Sequence, residues 1–352
     1  MVNRLLLPLI LLPLWVKLAH HVYGLGGGPS ESRSLLLLFS VCIALLAFFT
    51  VLISGMLKRG HKSAPELMAR TLTFWWMLAL FLISVTTHLA VTVGVIGVFS
   101  ALAVYEYLSF ARAAPHVCVV SSPMLAFCVA LVPVNLVLHY QGLSQLSLVL
   151  ISLVAVLVIP SLLVLENNTD SALVRYGYVV SGLFFFVFSF GYAAALARQA
   201  TLVLLFCFFL TEIRDLGSYW MGKFFARAQQ RSPEQRWLTL INYKIAANVS
   251  PNKSWGVGLL SCLLLMAIAL SLRPLLPAFK QGLVGPEFML VWALLIGILG
   301  LMGDLVFSMF KRQFGLKDSG HLLPGATGII DRIDSLVLTL PATYFLFYYT
   351  YF

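Results

Sequence analysis

Charged side chains are scarce in this chain. Only 10% of its 352 residues are Asp, Glu, Lys or Arg, whereas 61% are hydrophobic. Because soluble globular domains carry about 25% charged residues, this composition excludes an ordinary soluble domain. Cysteine is also rare, with five residues and no CxxC or metal-ligand spacing. We therefore interpret these cysteines as small side chains that pack between membrane helices, and not as metal ligands or parts of a disulfide framework.

Long apolar runs are abundant instead. A run of roughly 17–25 apolar residues can span a bilayer as a helix. About eleven can be read in order: Leu5–Ala19, Leu35–Leu57, Leu72–Ala90, Val91–Ala111, Pro123–His139, Leu146–Leu165, Tyr176–Ala197, Thr201–Gly222, Trp255–Leu272, Glu287–Phe310 and Leu336–Phe352. They predict an all-α, polytopic membrane helix bundle of about 9–11 transmembrane helices. The first run has no convincing cleavage site, so we expect it to be retained.

Basic residues outnumber acidic ones by 23 to 13, which gives a net charge of +10. If the amino terminus is cytoplasmic and every run crosses, 17 basic residues fall on the inner side and four on the outer side, with Lys17 and Arg214 inside runs. This bias follows the positive-inside rule. The net charge is then explained by topology and an anionic inner leaflet, and it does not indicate a nucleic-acid partner.

Ionisable side chains are concentrated between the last two runs, on the predicted cytoplasmic side. They are Asp304, Lys311, Arg312, Lys317, Asp318, His321, Asp331, Arg332 and Asp334. The spacing places Asp304 and Ser308 on one helix face, and Asp331 and Asp334 on another. Carboxylates beside basic side chains suit a divalent cation that bridges a polyphosphate. A positive-inside loop with helix-start aspartates is the alternative, and charge alone does not decide between the two.

The order of these residues resembles the signature of the phosphatidate cytidylyltransferase (CDP-diacylglycerol synthase) family. That signature runs S-x-x-K-R-x4-K-D, then P-G-H-G-G, then x-x-D-R-x-D. The matching residues are Ser308, Lys311, Arg312, Lys317, Asp318, Pro324, Gly325, Gly328, Asp331, Arg332 and Asp334. Two earlier blocks, Asp215–Lys223 and Ser250–Trp255, are similar to the family's D-x-G-A-Y-x-x-G-R/K and S-P-x-K-T-W blocks. Ser250 could otherwise be a helix cap.

The chain departs from the family pattern at four positions. Arg214 stands where the family usually has Asn, Gly256 replaces Glu, and Ala326 and Thr327 replace His and Gly. A phosphate monoester is already anionic at neutral pH, since its second pKa is about 6, so it needs no base to become a nucleophile. The reaction needs charge screening and alignment instead.

The resemblance implies Mg2+-dependent transfer of a cytidylyl group from CTP to phosphatidate or a related lipid phosphate, giving CDP-diacylglycerol and pyrophosphate in phospholipid biosynthesis. It assigns catalytic roles to Asp304, Asp331 and Lys311. It assigns metal binding to Asp304 and Asp331, with Asp215, Asp318 and Asp334 as second choices. The substrate-binding residues that it implies are Ser250, Lys253, Ser308, Arg312, Lys317, Asp318 and Arg332. The resemblance also allows K+ beside Mg2+.

The resemblance divides the chain into two regions, and the bias of basic residues gives the orientation of the site. We expect residues 1–200 to form amino-terminal transmembrane helices and residues 201–352 to form the catalytic region with its cytoplasmic loops. The expected location is the bacterial inner membrane, with the active site facing the cytoplasm and a homodimer allowed. Two other functions stay open: a CTP-dependent lipid or polyprenol kinase, and a degenerate homologue that binds lipid without catalysis. Glu106, at the inner end of the fourth run, either neutralises a basic neighbour or, as we expect, is solvated at the interface.

Overall fold

The computed structural model describes residues 29–60, 64–276, 282–320 and 328–351. Its helices in chain order are α1 (Pro29–Lys58), α2 (Ala64–Thr86), α3 (Leu89–Ala113), α4 (Ser122–Gln141), α5 (Ser144–Leu153), α6 (Ile159–Leu165), α7 (Ala172–Gly182), α8 (Ser189–Arg231), α9 (Arg236–Ile241), α10 (Trp255–Leu272), α11 (Pro286–Gln313), α12 (Ile330–Ile333) and α13 (Leu336–Thr350). Two π-helical turns, Val154–Val158 and Leu183–Phe188, join α5 to α6 and α7 to α8.

Eight continuous helical stretches in the described ranges are long and apolar enough to cross a membrane. One of them, Ala172–Arg231, has 60 residues. A straight helix of that length would measure about 90 Å, against roughly 30 Å for the hydrocarbon core. It is broken at Ala200, where φ is −158° and ψ is 82°, between the two spans predicted there. The prediction of an all-α polytopic bundle is confirmed, and the predicted run Leu5–Ala19 lies outside the described residues.

Several helix boundaries differ from the prediction, including the two that follow. The turn between the third and fourth runs lies at Thr87 and His88 rather than after Ala90, because the His88 Nδ1 accepts the amide hydrogen of Ala90 at 3.1 Å and caps α3. Helix α8 continues to Arg231, well past the predicted end at Gly222. That extension carries the chain out of its apolar run and into the segment that precedes the hairpin described below.

The π-helical turn Leu183–Phe188 joins the amino-terminal helices to the rest of the bundle. A π turn disrupts the regular backbone bonding of a helix, so its carbonyl oxygens need other donors. Ser100 on α3 donates to the Phe186 carbonyl at 2.8 Å, and the Asn135 amide on α4 donates to the Val187 carbonyl at 2.7 Å. Beside them, the Phe186 ring packs on Phe307 of α11 with centroids 5.4 Å apart. Helix α3 and helix α11 are therefore held in one core.

A short antiparallel hairpin lies between α9 and α10. Its strands are β1 (Lys244–Ala246) and β2 (Ser250–Ser254), paired at Lys244 with Ser254 and at Ala246 with Ser250. Ser250 is thus a strand residue and not a helix cap, and Ser254 occupies the cap position of α10. The hairpin delivers Lys253 to the start of α10, next to α11.

Candidate active site

Helix α11 meets the segment between α12 and α13 backbone to backbone. A Cβ atom at Gly303 would collide with the Asp334 carbonyl oxygen and lie 3.4 Å from the Ser335 Cα. Glycine at position 303 therefore permits this approach. The contact places Asp304, the next residue of α11, beside the acidic segment that precedes α13.

Asp304 is paired with a lysine from the hairpin. The Lys253 ammonium group binds its Oδ2, and the Ser308 hydroxyl donates to its Oδ1 at 3.4 Å. The predicted helix face shared by Asp304 and Ser308 is confirmed. Asp304 lies inside α11, which continues to Gln313, about two and a half turns farther.

Asp331 is paired with a second lysine. The Lys311 Nζ donates to its Oδ1 at 2.6 Å, while its Oδ2 accepts the amide hydrogens of Ser319 at 2.9 Å and Gly328 at 3.4 Å. Burial acts to raise the pKa of Asp331, but the Lys311 charge and these hydrogen bonds outweigh it and hold the pKa below its usual value. Asp331 is therefore an anion held by Lys311 and by the backbone of the adjoining segment.

A third group of charges, from α8 and the start of α13, adjoins the first two. The Arg214 guanidinium binds Asp215 at 2.6 Å and donates to the Ser335 hydroxyl at 2.8 Å. Asp334 is buried and accepts the amide hydrogen of Ser335 at 2.7 Å. Burial, together with the Asp215 charge, raises the pKa of Asp334 to about 6. Burial and then the Arg214 charge lower the pKa of Lys253 to about 8. Shifts of this size in pKa are typical of functional sites.

Two of the four family departures are accommodated by neighbouring residues. Arg214 is 1% exposed, and a Cβ atom at Gly300 would lie 2.7 Å from its Nη2, so Gly300 makes room for the guanidinium. A Cβ atom at Gly256 would lie 2.5 Å from the Ile241 Cα, so the glutamate of the family cannot fit there unless α9 moves. Ala326 and Thr327 lie outside the described residues.

Several predicted substrate-binding residues make contacts other than those of the two lysine–aspartate pairs. Arg312, Lys317 and Asp318 are exposed, and Arg312 donates to the Leu316 carbonyl at 3.3 Å. The Arg332 guanidinium lies over the Phe74 ring of α2, 5.3 Å from its centroid. Ser250 is half-buried in β2. His321, Pro324 and Gly325 lie outside the described ranges.

Glu106 of α3 belongs to the site, and the expectation that it is solvated at the interface is wrong. It is 4% exposed, and its carboxylate accepts the amide hydrogens of Ile329 and Ile330, each at 3.0 Å. Nothing in its local sequence shows a partner more than 220 residues away. The available signal was an acid in an apolar run, which usually has a specific partner.

The carboxylates fit a magnesium site completed by substrate. In the ranges that the structure describes, no three His, Cys, Asp or Glu side chains form a group able to hold an ion by themselves. Mg2+ usually retains several waters and binds one or two carboxylates plus substrate phosphates. Asp304 and Asp331 suit that pattern, and each has an ammonium group beside it that a bound cation would displace.

Comparison with known proteins gives matches along most of the chain. The model of the cytidylyltransferase family matches residues 68–350. The uncharacterized protein YnbB of Escherichia coli strain K12 is 29% identical over 316 residues, which cover 87% of this chain and 96% of that protein. The phosphatidate cytidylyltransferase of Haemophilus influenzae is 36% identical over 150 residues, 42% of this chain and 46% of that protein. That of Staphylococcus saprophyticus is 32% identical over 140 residues, 39% and 46%. The chain thus spans under half the length of these two enzymes.

Proposed function

This chain belongs to the cytidylyltransferase family, and we propose that it transfers a cytidylyl group from CTP to a lipid phosphate. The acceptor that the comparison favours is phosphatidate, because the two similar enzymes are phosphatidate cytidylyltransferases. The products would be CDP-diacylglycerol and pyrophosphate. The long apolar helices make the chain a multi-pass membrane protein, and we infer a bacterial inner membrane with the site on the cytoplasmic face.

The observation that supports this proposal is that charges from two lysine–aspartate pairs act on one buried carboxylate, Asp334. Lys253 binds Asp304 and Lys311 binds Asp331. The two lysines act on the charge of Asp334, which lies against Gly303. Both pairs are thus close enough to interact electrostatically with the Asp334 carboxylate. A polyphosphate substrate with a divalent cation carries the complementary set of charges.

The residues of this chain would act by exchanging partners. Asp304 and Asp331 would hold Mg2+, and the bound ion would supply charge neutralisation to the triphosphate. Lys253 and Lys311, released from their carboxylates, would donate to phosphate oxygens of the lipid and of CTP. The lipid phosphate oxygen attacks the α-phosphorus in line, the bond from that phosphorus to the bridging oxygen breaks, and pyrophosphate leaves with its electron pair. Alignment and charge stabilisation are the main catalytic terms in such reactions.

The test is an assay of purified protein with phosphatidate, CTP and Mg2+, using CTP labelled at either the α- or the γ-phosphate. We expect the α-label in the lipid, the γ-label in pyrophosphate, and no product when EDTA removes the ion. A second reaction replaces phosphatidate with a polyprenol or diacylglycerol, whose hydroxyl group can accept the γ-phosphoryl group, and γ-label in that lipid would instead show a lipid kinase that releases CDP. Absence of label from the lipid with either acceptor, with the protein folded, would show a degenerate homologue. The K+ ion and the homodimer remain predictions.

A further inference from the structure

Glu106 is a buried carboxylate with an unusual pair of partners. It lies on α3, and its two oxygens accept the consecutive amide hydrogens of Ile329 and Ile330, both at 3.0 Å. These amides begin α12, where the backbone has no helical acceptor of its own. Hydrogen bonds to an ionised acceptor are worth about twice a neutral one. Glu106 therefore stabilises the start of α12 from another part of the bundle.

Two glycines, Gly320 and Gly328, lie closely against the Glu106 carboxylate. A Cβ atom at Gly320 would lie 2.9 Å from the Glu106 Oε2. A Cβ atom at Gly328 would collide with both the Glu106 carboxylate and the Ser319 hydroxyl. Gly320 and Gly328 stand on either side of residues 321–327. Glu106 thus brings the two flanks of that segment together at one point.

The same two flanks hold Asp331. The amide groups of Ser319 and Gly328 donate to its Oδ2, and the Asp331 amide donates to the Ser319 hydroxyl at 3.3 Å. Asp331 is thus linked to Glu106 through the backbone that both side chains contact. Any displacement of Ile330 or Gly328 moves Asp331 directly.

We propose that Glu106 is a positioning residue, which fixes the Asp331 carboxylate by binding the backbone at Ile329 and Ile330 and by seating Gly320 and Gly328. Both of its oxygens accept backbone amide hydrogens, so it acts through the backbone. The consequence for catalysis rests on the proposed function, whereas the hold on the backbone does not. A carboxylate is required because both of its oxygens accept, while an amide side chain offers one oxygen and turns a donor toward the other amide hydrogen.

The experiment compares Glu106→Gln with the wild type by amide hydrogen exchange, followed by mass spectrometry of peptides that contain residues 328–333. We expect faster exchange in these peptides and unchanged exchange in the rest of α3. In the CTP assay we expect kcat to fall about 100-fold, as for a misplacement of about 1 Å. The KM for phosphatidate should stay within about threefold, because the lipid site is built by other residues.

The control is Glu166→Gln, which removes another partly buried carboxylate. Glu166 binds Arg175 at 3.0 Å and accepts a hydrogen bond from the Ser121 hydroxyl, and its loss should change neither readout. If Glu106→Gln fails to fold, Gly320→Ala presses on the same carboxylate from the other side and should give the same exchange pattern. Wild-type exchange at residues 328–333 in a folded Glu106 variant would overturn the proposal. So would lower thermal stability with kcat unchanged. Failure of the wild type to use CTP would refute the proposed function and leave the exchange result interpretable.

Discussion

Each proposed metal ligand has a lysine beside it, which sets how the site responds to a cation. Lys253 and Asp304 are 22% and 27% exposed, so their pairing is only partly screened by water. A divalent ion that binds Asp304 must displace the ammonium group, and the displaced lysine becomes available to a phosphate. In the proposed mechanism the lysine would therefore oppose metal binding in the free protein and assist the reaction in the complex.

We predict opposite effects on binding and turnover when Lys253 is replaced by Met. Without the ammonium group, Mn2+ should bind at least as tightly as in the wild type. Turnover should fall by about 100-fold, the usual cost of one lost charge-stabilising donor. Electron paramagnetic resonance of Mn2+ and the CTP assay measure the two quantities. Lys244→Met, at an exposed lysine on β1 of the same hairpin, is the control. Weaker Mn2+ binding, or unchanged turnover, in Lys253→Met would contradict this role.

At the scale of single residues, sequence motifs located the acids but not their partners. Asp331, Lys253 and Lys311 stand in ordered blocks, and Asp304 lies four residues before one of them, so the sequence predicts all four as site residues. The pairing of each lysine with a particular aspartate was not, because it depends on how the hairpin and α11 pack. Glu106 was missed for the same reason, since its partners follow from the contact of α3 with α12.

Among the helices, the contact of α8 with α11 accounts for one departure from the family pattern. Arg214 is buried against Gly300, and its Nη2 is shared between Asp215 and Ser335. A buried guanidinium is costly unless it is paired and given space. Gly300 gives the space, so these residues are coupled rather than independent.

We predict that Gly300→Ala destabilises the wild type but not the Arg214→Asn variant. In the wild type the added methyl group presses on the guanidinium, and overpacking costs about 1–3 kcal/mol. With Asn at position 214 the space is open, and Ala is a better helix former than Gly by about 1 kcal/mol. Thermal unfolding in detergent of the wild type, Gly300→Ala, Arg214→Asn and the double variant gives a double-mutant cycle. Gly94→Ala, where an added Cβ meets nothing within 4 Å, is the control. Equal effects of Gly300→Ala in both backgrounds would show that the two residues are independent.

Helix positions were predictable from the sequence because the bilayer imposes a minimum length on every apolar run. The run Trp255–Leu272 matches α10 at both ends. Ends set by local capping, such as His88, were not predictable, since histidine is not a usual cap residue. The hairpin was not predicted either, because its five-residue second strand has no alternating apolar pattern.

Across the whole molecule, loops that the sequence places on one side of the membrane touch each other. On the predicted outer side, Gly142 lies against the Arg198 guanidinium, and the Gly285 amide donates to the Tyr351 hydroxyl at 3.2 Å. On the predicted inner side, Glu106 binds Ile329. These contacts agree with alternating crossings. The charge bias then predicts which side is cytoplasmic.

We predict that a cysteine placed at Gln141 reacts with a membrane-impermeant maleimide in intact bacterial cells. A cysteine at Asn248, on the hairpin, should react only after the membrane is opened. Both positions are exposed. Four native cysteines are buried and Cys42 is partly buried, so background labelling should be low. Labelling in detergent is the control for both variants. The opposite pattern of reactivity would reverse the orientation and place the site outside.

The measurement that tests the central claim most directly is Mn2+ affinity in the presence of CTP for four proteins: wild type, Asp304→Asn, Asp331→Asn and the double variant. If both carboxylates bind one ion, each single change should weaken Mn2+ binding by at least about tenfold. Loss of a residue that only supports a metal ligand already weakens metal binding by about 10–100-fold. The double change should then cost much less than the product of the two, because residues that share a partner are not additive. Wild-type affinity in either single variant, or losses that simply multiply, would contradict a shared site.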